Sequence, residues 1–306
     1  MKILIVCSYK DYRSDGIAPF ILEQVGAIEK EGVAVSYFLL KGNGILGYLS
    51  EISRFKRAVK DFTPDIIHAH YGLCGLFANL QRKIPVVTTY HGSDINNKSN
   101  LKYSKLSIWL SAWNIFVSKR QVVKAGVKTR YSVIPCGVDT NIFYPLDKEY
   151  CRKILGWNME QTYILFSKAF FVEVKNYPLA KTAVDLLGND AHLIELDGYT
   201  REEVNLLMNA SDVALMTSFS EGSPQFIKEA MATNCPIVST DVGDVSELLY
   251  GVSNSYLCTY SKDDVADKIK MILFSKNIKT NGKKRIDNYY GLSTVTKQIV
   301  DIYNKL

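Results

Sequence analysis

Val213-Ala214-Leu215-Met216-Thr217-Ser218-Phe219-Ser220-Glu221-Gly222-Ser223-Pro224-Gln225-Phe226-Ile227-Lys228-Glu229-Ala230-Met231-Ala232 reads as a strand, a turn and a helix in succession. The first four residues are apolar without alternation, as in a parallel strand covered on both faces. Gly222 permits a tight backbone, Ser223 suits a helix N-cap and Pro224 suits the first helical position, so the helix is predicted over Pro224–Thr233. A helix start aimed out of a parallel sheet presents backbone N–H groups to an anion such as phosphate. Glu229 lies about one and a half turns further on, where a carboxylate can reach the two hydroxyls of a ribose. The Glu-x7-Glu spacing alone carries nothing, since Glu23 and Glu31, and Glu195 and Glu203, share it. The strand–turn–helix frame around Glu221 and Glu229 gives the pair its meaning.

The same alternation extends outward in both directions. Toward the C-terminus come a strand at Ile237–Ser239, a helix at Val265–Phe274 and an amphipathic helix at Ser293–Leu306, with Ser293 as its cap. Toward the N-terminus, strands at Leu193–Leu196 and Ile164–Phe166 flank helices at Glu202–Asn209 and Tyr177–Leu187. Pro145 to Cys151 is polar and charged and reads as a linker. Before it the pattern repeats, with strands at Ile3–Val6, Ala34–Leu40, Ile66–His68, Val86–Thr89, Ile115–Val117 and Tyr131–Ile134, and helices at Pro19–Lys30 and Tyr48–Asp61. Strands alternating with helices define an α/β protein of parallel sheets. The expectation is two Rossmann-like domains: 1–147, 148–292, and a helix at 293–306 packing back on the first. Ligands of such folds bind outside the carboxyl ends of the strands, here in a cleft between the domains.

At 306 residues, 47% hydrophobic and 22% charged, the chain has ample material for two cores. No stretch approaches the roughly 20 apolar residues of a membrane span. The apolar run Ile3–Cys7 is too short for a signal peptide and reads as a buried strand. Six scattered cysteines, none in a Cys-x-x-Cys pair, suggest reduced thiols in a cytoplasmic protein. Residues 1–145 carry 19 Lys and Arg against 10 Asp and Glu, a balance of +9, whereas the remainder carries 18 against 21, or −3. That asymmetry points to an anionic partner for the N-terminal half. Arg54-Phe55-Lys56-Arg57-Ala58-Val59-Lys60, basic with apolar interleaving, is the candidate for peripheral contact with an anionic membrane, presenting otherwise as a solvated helix face. No motif supports nucleic-acid binding.

Gly42-Asn43-Gly44-Ile45-Leu46-Gly47 fits the dinucleotide fingerprint, but the acid that should close the next strand, Asp65, stands at its start. The run is therefore read as a flexible loop rather than a nicotinamide site. No P-loop motif occurs. His68, His70 and His91 lack a carboxylate placed to complete a metal centre, so no metal is expected.

Several further segments, taken in order, carry a resemblance. Pro64-Asp65-Ile66-Ile67-His68-Ala69-His70, Val87-Thr88-Thr89-Tyr90-His91-Gly92-Ser93-Asp94, Ala112–Ser118 and Val133-Ile134-Pro135-Cys136-Gly137-Val138-Asp139, with Phe143 and Pro145, join the Glu221–Glu229 segment. From Met1 to about Leu273 the chain resembles the retaining GT-B glycosyltransferases of family 4 (group 1). The resemblance implies transfer of a sugar from a nucleotide-diphosphate sugar to an acceptor hydroxyl, in polysaccharide or glycolipid assembly, by a cytoplasmic enzyme at the inner face of the membrane. It also implies that Glu229 holds the ribose, Glu221 contacts the transferred sugar, and Gly222, Ser223, Pro224 and Gln225 line the sugar and phosphate. Lys175 matches the lysine on the diphosphate, and His91 the histidine at the transferred sugar. Asp15 and Gly16 stand where the family has a Gly-Gly loop facing donor phosphate and acceptor. The family's arginine ahead of Lys175 is absent, with Lys168 nearby in its region. Between Leu187 and Ser211 one strand–helix unit is missing, leaving Asp197-Gly198-Tyr199 to face the base. The family's mechanism needs no metal, no cofactor and no side-chain base, because the departing phosphate oxygen takes the proton of a saccharide or lipid-linked acceptor. The missing arginine also motivates a second reading, a catalytically silent GT-B protein that binds nucleotide or sugar as an assembly partner.

Overall fold

The structure, a computed structural model, describes residues 1–9, 16–42, 44–275 and 280–306. It divides into two compact units, residues 1–137 with 292–306, and residues 138–291.

The first unit is built on a six-stranded parallel sheet of order β2-β1-β3-β4-β5-β6. Its strands are β1 (Lys2–Ser8), β2 (Ala34–Leu40), β3 (Ile66–His70), β4 (Val86–Tyr90), β5 (Trp113–Phe116) and β6 (Tyr131–Val133). Side chains of a strand alternate between faces, and β1 shows why it is apolar throughout. Ile3, Ile5 and Cys7 pack with Ile21, Val25 and Ile28 of the helix Pro19–Lys30 and with Val295, Ile299, Ile302 and Tyr303 of the C-terminal helix. Leu4 and Val6 pack on the other face with Phe38, Phe55 and Phe77. The C-terminal helix, Leu292–Tyr303, thus belongs to the first unit's core. Its Tyr303 is buried and shares a 2.5 Å hydrogen bond with Nδ1 of His68 in β3.

The second unit carries a five-stranded parallel sheet of order β11-β10-β9-β7-β8. The strands are β7 (Thr162–Phe166), β8 (Ala191–Ile194), β9 (Val213–Met216), β10 (Ile237–Thr240) and β11 (Ser255–Cys258). The strand that opens the sequence reading, β9, is fully buried at the centre. Val213 and Leu215 face one core with Ala180 and Val265, and Ala214 and Met216 face the other with Ile227 and Ala230.

Several local expectations are corrected. The polar stretch Pro145–Cys151 is not a free linker, because Lys148–Leu155 is a helix whose N-cap Asp147 accepts the N–H of Tyr150 at 2.8 Å. Arg152 of that helix is buried and donates to the carbonyls of Ala210, Met159 and Gln161 and to Asp212. The division between units accordingly falls at Gly137 and Val138 rather than at residue 147. The chain returns to the first unit at Leu292, whose Cα lies so near Gly137 that a Cβ there would approach it to 2.7 Å. Ser293 lies inside the first turn of its helix instead of capping it.

The single helix expected over Tyr48–Asp61 is two, Gly44–Leu49 and Ile52–Phe62, so the glycine run beginning at Gly42 is partly helical and not a loop. Asn43 of that run lies outside the described residues. Several helices escaped the periodicity reading, Gly72–Ala78, Lys98–Leu110 and Lys119–Ala125 among them. Gly72 and Gly75 press so closely on Ser104 and Ser107 that a Cβ would come within 2.0 and 2.3 Å of their hydroxyls. Residues chosen for close approach of two helices have poor helical propensity and no apolar period.

Candidate active site

All strands within each sheet are parallel, so the loops that follow them gather along one edge. In the second unit that edge brings together Lys168 and Lys175 after β7, Gly198 and Arg201 after β8, Glu221 to Gln225 after β9, and Gly243 and Asp244 after β10. The loops after β7 and β9 are stapled. Thr217 Oγ1 donates to the carbonyls of Lys175 and Asn176 at 2.9 and 3.0 Å, and the Phe219 N–H donates to the Val174 carbonyl at 2.9 Å. This backbone frame delivers Lys175 Nζ to within 2.5 Å of Glu221 Oε1, with both side chains about five-sixths buried. A charged pair so placed, at the end of a central strand, is preorganised to meet a ligand with its own charges.

The turn into the next helix departs from expectation. The helix runs Gln225–Ala232, and Pro224 occupies the N-cap position with extended backbone and no side-chain cap. Ser223 therefore does not cap the helix; its Oγ accepts instead from Nζ of Lys228 at 3.2 Å. Lys228 is fully buried, which a lysine rarely is without a partner. Asp244, also buried, faces Ser223 and the Lys228 ammonium. Burial lifts its carboxyl to about 6, against the pull of Lys228. Gly243, at φ +62°, lets the loop after β10 lie on the Gly222 carbonyl, where a Cβ would sit at 2.5 Å. Glu229 is almost wholly buried, and Arg201 Nη1 approaches its Oε1 to 2.6 Å as a close ion pair. Lys168 is exposed, and Gly198 adopts φ +76°.

The Lys228–Asp244 pair predicts a specific pH response. An acid with its folded pKa raised contributes stability below its unfolded pKa, near 4, that is lost as pH rises through about 6. Lys228→Met keeps the volume but removes the cation that pulls the Asp244 carboxyl down, so the variant is expected to lose about 1–3 kcal/mol at pH 7.5. Much of that loss should be recovered at pH 5, where Asp244 binds its proton. Urea unfolding of wild type and variant at the two pH values measures both effects.

In the first unit the carboxyl edge carries Gly16 after β1, Tyr71 after β3 and His91 after β4. Gly16 has φ +63°, and a Cβ there would meet the Tyr9 ring at 2.1 Å, so glycine is required. Asp15, expected beside it, lies outside the described residues. His91 Nε2 is 3.0 Å from Nδ1 of His70, and its ring packs on Tyr71 and Phe20 with centroids 4.7 and 5.0 Å away. Burial holds His70 down to about 3 and His68 well below the ordinary histidine range, so both rings are neutral. Among the described residues no group of three or more His, Cys, Asp or Glu side chains is gathered to hold a metal ion. The His91 loop is fixed by the buried Asp94 carboxyl, which accepts N–H groups from Gly92, Gly72 and His91 at 2.9, 3.2 and 3.3 Å. Burial raises that carboxyl to about 6, opposed by those N–H groups. Beside it opens a cavity of about 540 Å³ lined by Ile45, Leu46, Tyr71, Ser93, Asn100 and Tyr103. At the opposite edge of the sheet, Asp65 Oδ2 accepts the Lys2 N–H at 2.7 Å, a structural duty unlike that of a dinucleotide-binding acid.

The structure thus pairs Lys175 with Glu221 and Ser223 with Lys228, and sets Glu229 against Arg201. Sequence reasoning missed Arg201, Lys228 and Asp244. Arg201 meets Glu229, and Asp244 faces Lys228, through the fold, and no local spacing signals either approach.

Two α/β units, each built on a parallel sheet, match the architecture of GT-B glycosyltransferases, and comparison with known proteins agrees. Residues 16–142 match the family described as Glycosyltransferase Family 4, and residues 175–274 match Glycosyl transferases group 1. The chain belongs to these glycosyltransferases of family 4 (group 1) type. It is 27% identical over 218 residues to the putative teichuronic acid biosynthesis glycosyltransferase TuaC of Bacillus subtilis, covering 62% of this chain and 56% of that relative's length. Among solved structures it resembles sucrose-phosphate synthase from Thermosynechococcus elongatus, with TM-score 0.86 and 16% identity over 99% of this chain and 98% of that one. It also resembles Anabaena HepE in complex with UDP and glucose, with TM-score 0.79 and 18% identity over the full length of both. No described helix is long and apolar enough to cross a membrane.

Proposed function

We propose that this protein is a retaining glycosyltransferase that moves a sugar from a nucleotide-diphosphate sugar to an acceptor hydroxyl. The observation that carries this reading is the Lys175–Glu221 pair, held at the carboxyl edge beside the start of the Glu229 helix. In the proposed reaction the bond from the anomeric carbon to the diphosphate breaks while a bond to the acceptor oxygen forms on the same face. The acceptor's proton passes to the departing phosphate oxygen. Lys175 and the N–H groups at the helix start offset the charge that develops on the diphosphate. Glu229 accepts hydroxyls of the ribose, and Glu221 binds the transferred sugar.

We assign the donor to the second unit and the acceptor to the first, where the cavity beside Tyr71 and Tyr103 offers ring faces and Asn100 and Ser93 offer hydrogen bonds. UDP-sugars are the first donors to test, because the HepE structure holds UDP and glucose. The likeness to a teichuronic acid glycosyltransferase supports an acceptor from cell-surface polysaccharide or glycolipid assembly. The exposed lysines and arginines of the helix Ile52–Phe62 support peripheral contact with an anionic membrane.

Donor binding and turnover test the reading together. Calorimetry with UDP, GDP and ADP should find one nucleotide that binds, and Glu229→Ala should weaken it about tenfold or more. Incubation with the matching radiolabelled nucleotide sugar, with EDTA present, should release the nucleotide by transfer or slow hydrolysis. Binding without any turnover would favour the silent partner reading. No binding of any of the three would remove the donor assignment.

A further inference from the structure

We propose that Arg201 is a positioning residue for nucleotide recognition, aiming the Glu229 carboxylate at the ribose; this rests on the donor reading above. Arg201 is the first residue of the helix Arg201–Ala210, and that helix end is immobilised by a reciprocal capping box. The Thr200 N–H donates to Glu203 Oε2 at 2.7 Å, and the Glu203 N–H donates to Thr200 Oγ1 at 3.2 Å. The guanidinium carbon lies 4.5 Å from the centroid of the fully buried Phe143 ring. With its root capped and its plane supported by an aromatic face, the side chain has little freedom left. Its Nη1 then stands 2.6 Å from Glu229 Oε1.

The burial of the two partners differs in a telling way. The Glu229 side chain is 5% exposed and the Arg201 side chain 24%. A carboxylate so deep is costly unless it is paired. Arg201 supplies that partner, and its side chain is the more exposed of the two, close in the chain to the turn where Gly198 adopts φ +76°. A carboxylate held in place by a close ion pair loses less freedom when ribose hydroxyls donate to it. The geometry therefore makes the discrimination of ribose from deoxyribose, and not only affinity, depend on Arg201.

The experiment measures binding of UDP, GDP and ADP, each against its 2′-deoxy and 3′-deoxy forms, by calorimetry. The proteins are wild type, Arg201→Met, Arg201→Lys and Glu229→Gln. Arg201→Met keeps an apolar stem on Phe143 and so separates packing from charge. Wild type is expected to prefer ribose by about tenfold or more, Arg201→Met to reduce that preference toward unity, and Arg201→Lys to restore part of it. A purely structural role would lower the melting temperature of Arg201→Met while its ribose preference stayed at the wild-type value, and that result overturns the inference. If the preference survives Glu229→Gln as well, the ribose assignment of Glu229 falls first. A wild type that binds none of the nucleotides removes both.

Discussion

Lys175→Ala is expected to lower turnover by about 10²–10³-fold while changing donor affinity far less. On the proposed reading the ammonium matters most when the sugar–phosphate bond is breaking and negative charge accumulates on the diphosphate. On the same reading the ground-state diphosphate keeps the N–H groups of the helix start and the ribose keeps Glu229. The structure also explains why the variant should fold. The loop after β9 is tied to the carbonyls of Lys175 and Asn176 through Thr217, and these main-chain bonds do not involve the ammonium. Glu221 loses a partner but keeps some contact with solvent, so its charge is not stranded. Steady-state kinetics with the donor found by calorimetry would measure the effect. Unchanged turnover would remove Lys175 from the chemistry. A loss confined to KM would make it a ground-state binder.

Deleting residues 292–306 is expected to prevent the first unit from folding. The helix Leu292–Tyr303 buries Val295, Ile299, Ile302 and Tyr303 against the strand and helix residues Ile3, Ile5, Ile21 and Val25. At about 1.5–3 kcal/mol for each large apolar side chain, four such losses sum to about 6–12 kcal/mol. That matches the whole stability of a typical domain, about 5–15 kcal/mol. The deletion also strips His68, buried in β3, of the Tyr303 hydroxyl on its Nδ1. Limited proteolysis of the truncated protein should cut throughout residues 1–137 while a fragment spanning 138–291 persists. A truncated chain whose first unit resists protease as wild type does would show that the helix is an accessory.

Much of this was legible in the residues. The apolar runs at Ile3–Cys7, Ile66–Ile67 and Val213–Met216 announced strands covered on both faces, and the structure buries each of them. The strand Ala34–Leu40 and the helix Pro19–Lys30 have the predicted bounds. The Glu-Gly-Ser-Pro turn announced a helix start at the end of a strand, misplaced by one residue because a proline can occupy the N-cap as well as the first turn. The helix Gly72–Ala78, whose glycines meet serines of the helix Lys98–Leu110, was invisible because close packing and apolar periodicity are different signals.

Sequence by itself determined the two α/β halves, because burial of a strand or helix face writes a short-range period into the chain, while its ordered motifs carried the resemblance to the family. Tertiary structure alone decided that Arg201 meets Glu229, that Lys228 is buried toward Ser223 and Asp244, and that the last helix completes the first core. Those contacts depend on strand order. In the second sheet β7 stands between β8 and β9, so loops far apart in the chain share one edge. A charged side chain pays its desolvation only where its partner stands, and no pattern within reach of a few residues reports that place.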